Sequence, residues 1–316
     1  MEMNRRWDVL AFGDPCVDIV LAADQLPVIG EKVLGRPVGV FAGGTEANVA
    51  CAVARLGRRS AVYGRVGSDA HAAMLRRTLE DFGVGTEPLV VEPSAQSACA
   101  IAMLAGSGER AIVYLPMPPR PADPPSLDNA LHQAAIAYSM PYELDAFLTL
   151  SRAARRASTL VAIDIEAAVA PDAAAMWSRV EAADIVFFNE DGFLAGTGEQ
   201  PGREALGKLL RAGPRRVVVS LGAGGAVAMD RDGTFASQAA FPAKVVDTTG
   251  AGDTFNAAFL VAYMDGRPLA EALRFGCAAA SCTVAAMGAR AGLPDRAAVE
   301  SIAGPMPAAA QGAVSC

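Results

Sequence analysis

Apolar residues recur along this chain in two alternating rhythms. Short unbroken apolar runs, at residues 7–12, 60–64, 136–138, 159–164, 184–188 and 216–221, have the length and β-branched content of buried strands. Between them lie longer segments with apolar positions three and four apart, such as residues 43–56, stopped by Gly57, and 70–82, stopped by Gly83. Sustained strand–helix alternation predicts an α/β protein with a mostly parallel central sheet covered on both faces. Two stretches break the rhythm. Residues 32–41 and 98–115 are apolar and β-branched with no helix between their strands, which predicts a small antiparallel β-sheet built as a lid. The expected division is therefore a core of residues 1–31, 42–97 and 116–303, a lid of 32–41 and 98–115, and a flexible tail at 304–316. The Pro-rich run at 116–125 reads as a stiff surface connector, and no internal repeat is found.

Composition narrows the function. With 316 residues the chain is long enough for one large domain with an accessory piece, and 52% hydrophobic residues with few aromatics suit close helix-to-sheet packing. A net charge of -7 argues against nucleic acid or an anionic membrane as partner. The sequence shows neither a membrane-spanning run nor a leader-like start, so a cytoplasmic location is expected. Six cysteines lie at spacings that form no CxxC pair or zinc pattern and read as reduced thiols. Only His71 and His132 are available, too few for zinc hydrolysis or a histidine triad.

The richest chemistry lies at residues 245–255, VVDTTGAGDTF. Small residues Gly250, Ala251 and Gly252 form a turn at the mouth of an apolar helix, and Asp253 stands just inside it. Free N–H groups at a helix N-terminus receive phosphate oxygens, and a carboxylate beside them can take a proton from an attacking hydroxyl. The plain alternative is a glycine turn with a helix-capping Asp. A second glycine pair, Gly43–Gly44, opens the next candidate segment, where Asn48 offers both donor and acceptor to hydroxyls or caps a helix. Asp18, just after the first strand, can accept two hydroxyl hydrogen bonds. In the third segment a buried strand runs into Ser220, Gly222 and Gly225, which makes either the rim of a nucleotide pocket or an ordinary strand-to-strand turn. The GxxxxGK match at residues 202–208 has Leu209 where a P-loop needs Ser or Thr, and reads as amphipathic helix.

Together these segments resemble the ribokinase-like, or PfkB-type, carbohydrate kinases over nearly the whole chain. The resemblance rests on GGTEANVACAVARLG at 43–57 with GRVGSD at 64–69, and on DTTGAGDTFNAAFL at 247–260, in that order. It implies a three-layer α/β/α core, a β lid often used for homodimerisation, and an ATP-dependent, magnesium-assisted sugar kinase. Asp253 is then similar to the catalytic base, and Gly250, Ala251 and Gly252 to the anion hole. On the sugar side the implied positions are Asp14, Asp18, Gly43, Gly44 and Asn48. On the nucleotide side they are Asn189, Ser220, Gly222, Gly225, Thr248, Ala279 and Thr283. Glu190 is the implied magnesium-side acid, and a monovalent cation such as K+ is expected near Asp247.

The chain also departs from the family pattern. The NxxE element appears as Asn189-Glu190-Asp191-Gly192, with glycine at the glutamate position, so that Glu190 or Asp191 takes its place or metal handling is weaker. Cys16 and Thr45 stand where ribokinases carry Asn and Lys, which moves the expectation away from ribose, and GERAIVYLP at 108–116 with GARAGLP at 288–294 is similar to members acting on ketohexoses or their phosphorylated and sulfonated relatives. Arg110 and Arg290 would hold an anionic group of such a substrate, or are surface or salt-bridged arginines. The rival functions are a nucleoside kinase of the same superfamily and a catalytically silent sugar sensor.

Overall fold

A computed structural model describes residues 5–107, 109–119 and 124–304. In chain order the strands are β1 (Trp7–Phe12), β2 (Cys16–Ala23), β3 (Gly35–Gly43), β4 (Ser60–Val66), β5 (Leu89–Val91), β6 (Ala98–Ala105), β7 (Arg110–Leu115), β8 (Ala134–Ser139), β9 (Leu160–Ile165), β10 (Ile185–Asn189), β11 (Arg216–Ser220), β12 (Ala226–Asp230) and β13 (Phe235–Gln238). The helices are α1 (Thr45–Arg55), α2 (Ala70–Asp81), α3 (Pro124–His132), α4 (Leu144–Arg156), α5 (Ala173–Val180), α6 (Glu190–Thr197), α7 (Arg203–Ala212), α8 (Ala251–Met264), α9 (Leu269–Thr283) and α10 (Arg296–Ala303).

The large sheet has the order β13-β12-β11-β10-β9-β8-β1-β4-β5. It is parallel from β11 to β5, while β12 and β13 add antiparallel at one edge. Alternate residues of each strand enter different cores, as period-two geometry requires. Ile185 and Phe187 of β10 join α1, α8 and α9 on one face, whereas Val186 and Phe188 join α4, α5 and α7 on the other. Helix α8 is buried at every position from Thr254 to Ala262, which is why its sequence is apolar all round rather than on one stripe.

The small sheet has the order β3-β2-β6-β7, with β2 antiparallel to β3, parallel to β6, and β6 antiparallel to β7. Its strand β2 includes residues that the sequence boundary assigned to the core, so Asp18 lies on the lid sheet itself. Register places Phe41, Asp18, Ala100 and Tyr114 in one row across this sheet, on one face. Tyr114 stacks on Tyr142, in the loop after β8, with ring centroids 6.4 Å apart, so the lid touches the core through an aromatic pair. The GxxxxGK match falls on amphipathic α7, as read from its sequence. Among the described residues no helix is long and apolar enough to cross a membrane. The expected tail falls almost entirely outside the described residues.

Candidate active site

Parallel strands end together, and their carboxyl edge is where connecting loops can converge on a ligand. At that edge lie Asp14 after β1, Met140 after β8, Asp164 and Glu166 at the end of β9, Asn189 ending β10 and Ser220 ending β11. The N-termini of α1 and α8 open onto the same region. Both begin at a glycine that no other residue replaces easily. Gly44 has φ 92° and Gly250 φ 77°, and a Cβ on Gly250 would sit 2.7 Å from Ala289. Gly252 is exposed, and a Cβ there would meet nothing within 4 Å, so a phosphate group has room to approach the helix N-terminus.

Asp253 does not cap α8, whose N-cap Gly250 makes no side-chain capping bond. Its carboxylate instead accepts a 2.7 Å hydrogen bond from Asn48 Nδ2 on α1. It lies deep among protein atoms yet keeps part of its surface open, as a group on a cleft floor does. Burial pushes its carboxyl up to about 7, against the Asn48 hydrogen bond and the positive charge of Arg290, with Glu166 and Glu46 adding to the rise. A base with that value is half ionised near neutral pH, the range in which proton abstraction is most effective.

Asp18 is a second acid of this cleft, raised by burial and held back by Cys16 and Arg290. A Cβ on Gly43 would fall 2.2 Å from Asp18 Oδ2, so this glycine exists to admit that carboxylate. Asn48 is 5% exposed and committed at both ends of its amide, to Asp253 and to Arg290, rather than left open to sugar hydroxyls. Asp14 is held by Arg65, whose backbone N and Nη2 donate to its two oxygens at 2.7 and 2.9 Å, so it is not a free sugar ligand here. The side chain of Arg110 lies outside the described residues.

The nucleotide-side residues separate into two groups. Ser220 and Asn189 are register partners at adjacent strand ends, and Gly222 is exposed beside them. Thr248 is exposed too, and its carbonyl accepts from Ala251 N at the start of α8. Four further positions expected near the nucleotide or a cation carry contacts within the protein. Gly225 is buried in the β11–β12 hairpin, where a Cβ would collide with Gln238 O at 2.0 Å, so its role is packing. Ala279 and Thr283 are fully buried, and the Thr283 hydroxyl meets Thr254 Oγ1 at 3.0 Å, joining α9 to α8 rather than facing a base. Asp247 accepts from Thr249 N, Thr249 Oγ1 and Gly288 N, which makes its carboxylate the clamp of the glycine turn. Among the described residues no three acidic, His or Cys side chains converge as a metal site. Glu190 is exposed on the first turn of α6.

Several groups went unread in the sequence. Glu46 accepts from Met140 N at 3.0 Å, and burial pushes it up to about 7. Asp164 accepts from Asn256 Nδ2 at 2.9 Å and from the Tyr138 hydroxyl at 3.4 Å, and burial pushes it to about 7 as well. The signal was present, since Glu46 sits inside the glycine motif and Asp164 ends an apolar strand, both odd places for an acid. A surface concavity lined by Asp8, Arg58, Arg59, Asp265 and Arg296 lies at the opposite, amino edge of the sheet. Its arginines are paired with Asp8 and Asp265, which accounts for their charge.

This cleft is that of a phosphotransferase with an alcohol acceptor, and residues 7–296 match the pfkB family of carbohydrate kinases. The chain belongs to that family. It is 30% identical to a ribokinase of Arabidopsis thaliana over 91% of this chain and 79% of that protein, and 28% identical to a fructokinase of Solanum tuberosum over 90% and 92%. The solved structure of Arabidopsis thaliana ribokinase complexed with ribose and ATP superposes with a TM-score of 0.85 at 28% identity, covering 95% of this chain and 99% of that one. The ribokinase-like fold and the sugar-kinase class follow.

Proposed function

We propose that this chain is an ATP-dependent sugar kinase that transfers the γ-phosphate to a primary hydroxyl of a small neutral sugar, a ketohexose in preference to ribose. The observation that carries the reading is Asp253, paired with Asn48 beside the open Gly250–Gly252 turn. Asp253 takes the proton of the attacking hydroxyl, and the backbone N–H groups of the turn receive negative charge on the moving phosphoryl. The family relative bound to ATP supports that nucleotide, and the exposed Gly252 leaves room for its terminal phosphates. Exposed Glu190 is the carboxylate that would hold magnesium, which when bound would supply charge neutralisation to the phosphates.

Two features support a neutral acceptor over a phosphorylated or sulfonated one. Asp18, Glu46 and Asp253 are acidic, and Arg290 is turned to Asn48 and the Gly43 carbonyl. Cys16, in place of a polar side chain, is 3% exposed and offers a ribose hydroxyl little. The exposed apolar residues Val40 and Val113 of the lid suit a homodimer. Asp253→Asn is expected to lower kcat by 10² to 10⁴ with ATP binding retained, measured by coupled ADP release. Near-normal kcat in that variant would remove the role assigned to Asp253. The same assay across fructose, ribose, fructose phosphates and nucleosides separates sugar kinase from nucleoside kinase, and binding without ADP release identifies a sensor.

A further inference from the structure

Arg290 is 8% exposed, and none of the ion pairs among the described residues involves it. Its Nε donates to Asn48 Oδ1 at 2.8 Å and its Nη2 to Gly43 O at 2.8 Å, while Nη1 has no hydrogen-bond partner. A buried guanidinium without an ion pair is costly, and an orphaned donor adds to that cost. Such a group persists where its charge or its donors serve another residue.

The amide of Asn48 shows which residue is served. A guanidinium only donates and an ionised carboxylate only accepts, so one orientation alone satisfies both neighbours: Oδ1 toward Arg290 and Nδ2 toward Asp253. Rotating the amide by half a turn would face donor with donor and acceptor with acceptor. These contacts join residues 242 and 205 positions apart in the chain, across the loop after α9, helix α1 and helix α8. We propose that Arg290 is a positioning residue for the transfer base: it locks the Asn48 amide so that a donor is aimed at Asp253, and it sets an unpaired positive charge directly behind that amide. The proposal rests on Asp253 being the base.

The groups facing Asp253 are Asn48 and Glu46 from α1, Tyr138 from β8, Asp164 and Glu166 from the end of β9, and Arg290 from the 288–290 loop. Arg290 is the one cation among them, set against three acids. Its loss therefore favours the protonated, inactive form of Asp253.

The test is the pH dependence of kcat for Arg290→Met, beside wild type and Asp253→Asn. If the acid limb moves up by one unit, activity at pH 7 falls about fivefold and at pH 9 hardly at all, from the ionised fraction of a base near 7. Arg290→Met leaves the Asn48 Oδ1 and Gly43 carbonyl acceptors without their donor at some cost in stability, and Arg290→Gln, which keeps a donor without the charge, serves if Met does not fold. In an Asn48→Ala background the Arg290→Met shift should shrink, since the connecting amide is gone. A loss of equal size at pH 6 and pH 9, an unchanged profile, or an effect confined to the sugar KM overturns the proposal. If Asp253→Asn retains activity, it is instead the base assignment that fails.

Discussion

At position 192 the backbone passes so close to the end of β9 that a side chain has no place. A Cβ there would lie 2.4 Å from Ile165 O and 2.8 Å from both Asn189 Oδ1 and Glu166 Cα. Gly192→Glu would restore the family's NxxE spelling, yet it would force β9 and α6 apart. The expected result is a loss of about 2 kcal/mol in urea or thermal unfolding, the scale of overpacking a filled site, with no gain in kcat. A variant as stable as wild type and faster would show that the gap can open and that the missing glutamate matters. The placement of Asp253 behind its glycine turn was legible in the sequence because three neighbouring positions define that local geometry. Asn48 was legible as a polar ligand but not as a link, because its partners lie 205 and 242 residues away. Arg290 stayed open between an anion holder and a surface or salt-bridged arginine, because one sequence shows a charge but not which way it faces.

At the level of elements, the lid carries two different faces. One row runs through Phe41, Asp18, Ala100 and Tyr114, and the next through Val40, Ile19, Ile101 and Val113, one residue out of phase in every strand. Val40 and Val113, at the two ends of the second row, are 50% and 48% exposed. Ile19 packs against the main core, but the exposed ends Val40 and Val113, with Ile112 at 55%, leave apolar surface at the lid edges, from which we propose a dimer through the lid. Wild type is expected to run as a dimer in light scattering after size exclusion, and Val113→Lys as a monomer that still folds. A wild-type monomer at tens of micromolar would remove the lid dimer. The core elements could be read because each strand or helix shows its own period, and even helix stops such as Gly57 and Gly83 fall where expected. The lid was read less completely. Strand β2 follows β1 after three residues, and its parallel pairing with β6 joins segments about eighty positions apart, which no local pattern reveals.

For the molecule as a whole, burying acids in one cleft should mark stability as a function of pH. Asp253, Asp164 and Glu46 are each pushed up to about 7, chiefly by burial, and they raise one another, so they titrate as a coupled set. A carboxyl that binds its proton more tightly in the folded state contributes stability below the ordinary carboxyl range and loses it as pH rises through the folded value. Unliganded protein should thus lose stability between about pH 4 and pH 7 from this set. Asp8 and Asp265 act in the opposite sense. Despite burial, hydrogen bonds from Arg59 to Asp8, and from Arg296 and Arg58 to Asp265, hold both below the ordinary range, so their contribution is lost only as pH falls below about 4. The melting temperature without ligands should therefore be higher at pH 5.5 than at pH 8. A net charge of -7 at pH 7 also shrinks on acidification, which could produce the same trend through reduced repulsion across the surface. Asp164→Asn separates the two causes, because the amide can still accept from Asn256 while binding no proton, and it changes the surface little at 6% exposure. The variant should show a visibly flatter rise from pH 8 to pH 5.5. An unchanged slope would assign the effect to surface charge, and a wild-type melting temperature that falls on acidification to pH 5.5 would contradict the raised carboxyls altogether.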